Sequence, residues 1–83
     1  MFHVYAIKSL SKSRIYIGHT NDIVVRLKYH NFGYVKSTAN DRPWRLVALE
    51  NVETRQDARW LERSLKKSKG KRLKWQYKYR IDT

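Results

Sequence analysis

The sequence predicts a small α/β (α+β) layer sandwich. A three-stranded, mainly antiparallel sheet is flanked by helices, in the order β-β-α-β-α with a C-terminal helix or strand. Three observations predict it. Near the N-terminus, apolar residues alternate with period two and are interrupted by a short polar turn. Two later segments carry apolar residues at helical spacing behind capping residues. Between them lies a nearly continuous apolar run, Leu46 to Leu49.

The first strand is "FHVYAIKS", with Phe2, Val4 and Ala6 on one face and His3, Tyr5 and Ile7 on the other. "LSKS" is a turn, and "RIYIG" returns as a second strand. This strand is expected to stop at Gly18, where the chain turns into a helix. In both short-turn registers Tyr5 and Tyr16 share a face, because their offset in the ladder stays even. The helix "TNDIVVRLKYHN" is capped by Thr20, Asn21 or Asp22 and buries Ile23 and Leu27. Arg26 and His30 sit at the border of that stripe, spaced i, i+4, so their side chains meet. Gly33 ends the helix, and "FGYVKSTANDRP" is a loop.

"WRLVALENV" is the third strand. Its continuous apolar run predicts burial on both faces and a central place in the sheet. "TRQDARWLERSLKKS" is a helix, opened by Thr54 with Asp57 three residues on. Ala58, Leu61 and Leu65 face inward, and Glu62 lies at the edge of their stripe. Trp60 lies opposite, where it packs against the C-terminal segment or stacks on a base. From residue 71 to 81 two periodicities compete. Leu73, Trp75, Tyr77, Tyr79 and Ile81 alternate as in a strand, while Leu73, Tyr77 and Ile81 also fit a helix.

With 83 residues the chain is read as one domain, 1–83. It has no cysteine, which excludes disulfides and thiolate zinc sites and fits a reducing, cytoplasmic setting. No apolar run approaches the ~20 residues of a membrane span, so no membrane role is expected. The apolar N-terminus lacks a cationic start and reads as a strand, not a signal peptide. Nineteen basic residues against seven acidic give a net charge of +12, which concentrates polyanions around the protein and points to nucleic acid.

The acidic residues are Asp22, Asp41, Glu50, Glu53, Asp57, Glu62 and Asp82. Several fall at caps or turns, so a carboxylate cluster for two metals is not readily built. Only Glu62 borders a buried helical face, and one carboxylate suits one Mg²⁺ completed by water and phosphate.

"VYA", then "YIG", then Arg26, His30 and Glu62 in order resemble the GIY-YIG nuclease domain, closest to its small stand-alone, excinuclease C-like members. The likeness covers roughly residues 2 to 70. His3 stands where the family usually has its first glycine, while Tyr5 is kept. The resemblance implies a metal-dependent DNA endonuclease that nicks one strand, in repair or recombination. The alternative is a catalytically silent nucleic-acid-binding module on the same fold.

The resemblance also supplies roles. Tyr5 and Tyr16 line the site, one of them accepting a proton from water or positioning that water. Arg26 binds the scissile phosphate. His30 binds phosphate or shares the proton relay. Glu62 holds one Mg²⁺ or Mn²⁺ ion. Each residue also has a purely structural reading: packed rings, a solvated helix arginine, a core histidine, and a Glu62 pair with Arg59 or Lys66. The basic footprint for double-stranded or structured DNA comprises Lys36, Arg42 and Arg45 around the loop, and Lys66, Lys67, Lys69, Lys71 and Arg72 near the end of the second helix. No targeting domain is expected, so cleavage preference is expected from DNA shape, a homodimer or a protein partner.

Overall fold

The computed structural model describes residues 1–81; Asp82 lies outside them. The elements are β1 (Phe2–Ser9), β2 (Ile15–Thr20), α1 (Ile23–Phe32), a short 3₁₀ turn (Ala39–Asp41), β3 (Trp44–Val52), α2 (Arg55–Lys67) and α3 (Lys69–Lys78). The three strands form an antiparallel sheet in the order β2-β1-β3.

Alternation along β1 divides the protein into two apolar layers. Val4 and Ala6 join Ile17, Ala48, Ala58, Leu65 and Trp75 under α2 and α3. Tyr5 and Ile7 join Trp44 on the other face, where Tyr16, Ile23, Leu27, Leu46 and Leu49 pack against them beneath α1. The shared face expected for Tyr5 and Tyr16 follows from the register, in which Tyr5 pairs with Gly18 and Ile7 with Tyr16.

Caps define the helices. Asp22 accepts from the Val25 N–H, Thr54 from Asp57 N–H and Ser68 from Lys71 N–H, each satisfying a donor that the first turn leaves open. Gly33 closes α1 with φ 82°, a left-handed turn that glycine adopts without steric cost.

Two expectations are corrected. β1, not β3, is the central strand. β3 is nevertheless sheltered along its outer edge, since Leu49 N–H donates to Tyr79 O and Ile81 N–H to Val47 O, and each face is covered by helix. Burial on both faces is therefore what an apolar run reports, and it does not specify position in the sheet.

The strand does not stop at Gly18 either; β2 runs on to Thr20. For the C-terminal segment, where the sequence leaves helix or strand open, the helix is realised, as α3. It buries Trp75, with Tyr79 against it at 5.9 Å, and leaves Leu73 and Tyr77 exposed. Past the helix, Arg80 forms an isolated antiparallel bridge with Ala48. The Trp75 indole N–H donates to Glu50 at 2.7 Å, which anchors the helix to β3.

The loop after α1 is held from both sides. Asn31 bonds the Trp44 backbone through both its amide groups, and the Trp44 indole N–H donates to Thr38 O at 2.9 Å. Asp41 takes Lys12 and Arg14 from the β1–β2 turn. The Arg14 guanidinium beside it, and then Lys12, hold the Asp41 carboxyl below its usual range.

Candidate active site

Tyr5, Tyr16 and His30 form a tight aromatic cluster beneath α1. Ring centroids lie 6.5 Å apart for Tyr5 and Tyr16, 5.7 Å for Tyr5 and His30, and 5.2 Å for Tyr16 and His30. Tyr5 and His30 are fully buried. The register explains how the rings fit. Tyr5 lies opposite Gly18 in the ladder, and a Cβ on Gly18 would stand 2.6 Å from the Tyr5 hydroxyl and 3.0 Å from the Tyr16 ring. The glycine in the middle of β2 therefore provides the floor on which both phenols lie.

A chain of hydrogen bonds orders the protons. Thr38 Oγ1 donates its one proton to Val35 O at 3.3 Å, so it accepts from His30 Nδ1 at 2.8 Å. Neutral His30 then has Nε2 free to accept, and the Tyr5 hydroxyl donates to it at 2.7 Å. His30 is neutral because burial, with Arg26 nearby, pushes its pKa down to about 4. Burial likewise pushes the Tyr5 phenol up to about 12, against the pull of the Arg26 guanidinium. Tyr5 thus keeps its proton at neutral pH and turns its lone pairs toward Arg26.

Arg26 sits one helical turn before His30, as its spacing predicts. Hydrogen bonding to Tyr5 outweighs desolvation and raises its pKa further. Its Nε–H is buried with no partner among the described residues, which costs stability unless a ligand accepts from it.

Glu62 enters from the other face of the sheet. Gly18 faces Tyr5, so the next residue, His19, faces α2. There His19 Nδ1 donates to Glu62 Oε1 at 2.6 Å, and Lys66 Nζ donates to Oε2 at 2.8 Å. Burial pushes the Glu62 carboxyl up, but these bonds from Lys66 and His19 outweigh it and hold it low. Lys66 also lies 5.4 Å from the Tyr16 ring centroid, so it links the two faces around the free edge of β2.

A family model described as the GIY-YIG catalytic domain matches residues 1–78. The chain belongs to the GIY-YIG family. No curated protein and no solved structure matches it. Membership makes this a nuclease-type catalytic domain.

In this GIY-YIG chain the structure brings Tyr5, Tyr16, Arg26 and His30 together, with Glu62 connected to them through Lys66. His3, at the departure from the family pattern, simply donates to Asn51 opposite it on β3.

The basic residues divide. Lys66, Lys69 and Arg72 line a groove along the β2 edge that opens onto Tyr16, joined there by Arg14. Arg72 is partly committed to the fold, donating to Leu65 O at 3.3 Å. Lys67 and Lys71 belong to the outer surface of α2 and α3, while Lys36, Arg42 and Arg45 are exposed around the loop. Arg42 also bonds Ala39 O and covers Gly33.

Three contributors are not legible in the sequence. His19 meets its partner only through a contact 43 residues away, and Thr38 is one polar loop residue among several. Gly18 reads locally as a turn.

Among the described residues no group of three or more His, Cys, Asp or Glu gathers. The donors available to a metal are the Glu62 carboxylate and, beside it, His19. Mg²⁺ is commonly held by one or two carboxylates, keeping waters and taking phosphate oxygens, so this donor set fits it.

The neutral imidazole has a measurable consequence. An unfolded histidine takes its proton near pH 6.5, whereas folded His30 does so only near 4. The folding stability it contributes is complete above 6.5 and is lost as pH falls toward 4, by about 3 kcal/mol. Urea unfolding of the parent across that window is expected to show the loss, and His30→Asn a flatter profile. Equal slopes for the two proteins would mean that His30 protonates freely in the fold.

Proposed function

We propose that the protein is a metal-dependent DNA endonuclease that hydrolyses one phosphodiester bond per site and so nicks DNA. The observation that carries this reading is the buried Arg26 Nε–H, without a partner among the described residues, beside the Tyr5 hydroxyl and neutral His30. An anionic oxygen placed there would satisfy the orphaned donor and the guanidinium charge together. Tyr16, at the mouth of the β2-edge groove, borders the entering strand.

Water attack on phosphorus requires a proton acceptor. Tyr5 accepts the proton of the attacking water as its own passes to His30 Nε2. His30 at rest is a weak base, held down by burial and secondarily by Arg26. A bound phosphodiester offsets the Arg26 charge and favours the imidazolium, so substrate itself readies the relay. Thr38 accepts from Nδ1 in both protonation states and keeps the ring aimed. A Mg²⁺ or Mn²⁺ ion, held by Glu62, supplies charge neutralisation at the phosphate and leaving oxygen when bound. The likeness of its motifs to the small excinuclease C-like members supports a place in that branch, and with it a role in DNA repair or recombination.

Arg26→Ala tests the reading. Many other cations supply affinity, so duplex binding in EDTA is expected to weaken by no more than about threefold. Plasmid nicking in Mg²⁺ is expected to fall about 10²-fold, the scale for one lost charge-stabilising donor. Parental nicking by this variant would remove Arg26 from the site. A parent that binds duplex but never nicks would instead be the silent binding module.

A further inference from the structure

Trp60 stands on the outer surface of α2, 66% exposed, whereas Trp44 and Trp75 are buried. It meets α3 through a cation rather than an apolar side chain. Lys71 reaches over one side of its ring, 5.3 Å from the centroid, and is steadied by Ser64. Two shallow depressions meet at Trp60 and Arg63; one runs on to Arg55 and Arg59, the other to Lys67 and Lys71. A third depression, containing Glu62 and Lys66, shares Arg59, Arg63 and Lys67 with them. The path from the Glu62 carboxylate to the Trp60 indole is thus continuous and lined with cations. Across both helices ten basic residues stand against two acidic ones, Asp57 and Glu62.

A large exposed indole is costly to leave in water, and the surrounding charge excludes an acceptor of like sign. Cations alone suit any polyanion. The aromatic face narrows the choice, because stacking needs an open base face. A duplex hides its base faces except at its ends, while an unpaired nucleotide offers one, and base–aromatic stacking between phosphate-binding cations is how single strands are held. Trp60 and Lys67 are seven residues apart, ~10 Å along the helix, so a strand following this row spans only a few nucleotides.

We propose that the outer surface of α2 is a binding site for single-stranded DNA, with an unpaired base stacked on Trp60 and its phosphates on Arg63, Lys67 and Lys71. This rests on the nuclease reading only for its place in the reaction: the preferred substrate carries a single-stranded branch, which runs from the cleavage site over α2. The binding itself is independent of cleavage.

The experiment titrates a (dT)₁₂ strand and a closed dumbbell duplex, which has no free base face, against the parent, Trp60→Ala and Trp60→Phe in EDTA. Indole fluorescence, strand affinity by anisotropy and melting temperature are read together. For the parent, (dT)₁₂ is expected to quench the indole emission. Trp60→Ala should lose about tenfold in (dT)₁₂ affinity with its dumbbell affinity and melting temperature unchanged. Trp60→Phe should retain most of the affinity yet lose the quenching, since the remaining indoles are buried. An unquenched parent, or equal losses for strand and dumbbell in Trp60→Ala, would overturn the site. A parent that shows these strand effects but never nicks would leave this site standing and remove the nuclease reading instead.

Discussion

Gly18→Ala is expected to abolish nicking, by about 10³-fold or more, in a protein that still folds. The added methyl would stand 2.6 Å from the Tyr5 hydroxyl and 2.8 Å from its ring carbon. Neither atom is free to give way. Tyr5 is 1% exposed and held by His30, and Tyr16 closes the other side at 3.0 Å. The ring must lift from β2, which breaks the bond to His30 Nε2 and moves the phenol off Arg26. Overpacking of this kind costs about 1–3 kcal/mol, partly offset by the smaller unfolded-state entropy of alanine. Gly70→Ala is the control, for nothing lies within 4 Å of a Cβ there. It should melt no lower than the parent and nick at the parental rate. Parental nicking by Gly18→Ala would show that the Tyr5–His30 contact has no part in the reaction.

Glu62→Gln is the second large effect. The swap preserves shape, so the stripe of Ala58, Leu61 and Leu65 stays packed. The amide keeps one acceptor for His19 but has none left for Lys66. Losing that exposed i, i+4 pair costs about 0.3–0.5 kcal/mol, and weakening the bond to His19 adds about 1 kcal/mol. The melting temperature should therefore fall by only several degrees. Removing a negative charge from a +12 protein leaves DNA affinity in EDTA equal or slightly higher. Nicking in Mg²⁺ is expected to fall about 10³-fold or more, because among the described residues no second carboxylate joins His19 to hold the ion. A folded variant that nicks at the parental rate would reduce Glu62 to a structural partner of Lys66 and His19.

Local pattern was sufficient for the elements through α2 and for bringing several candidate site residues together. Period two placed Tyr5 and Tyr16 on one face, and i, i+4 spacing brought Arg26 to His30, because both relations are properties of a single element or of one short hairpin. The Asp22, Gly33 and Thr54 boundaries are equally local, each being a side chain or backbone angle that satisfies its own helix end.

What the tertiary structure decided are the relations between distant segments. An apolar run in β3 signals burial but not order in the sheet, since the Tyr79–Ile81 segment and the helices shelter an edge strand as well as neighbours shelter a central one. The alternation after Gly70 is uninformative because α3 buries only the aromatic residues that meet β3. Gly18 looks like a stop signal, yet its reason lies across the ladder in the Tyr5 ring. His19 and Thr38 have no local signature, because each acquires its role from a partner on another element. The sequence by itself determined which groups the candidate site can contain. Only the packing of α1 and α2 on opposite faces of one sheet decided which way the Tyr5 proton points, and which lysine joins Glu62 to Tyr16.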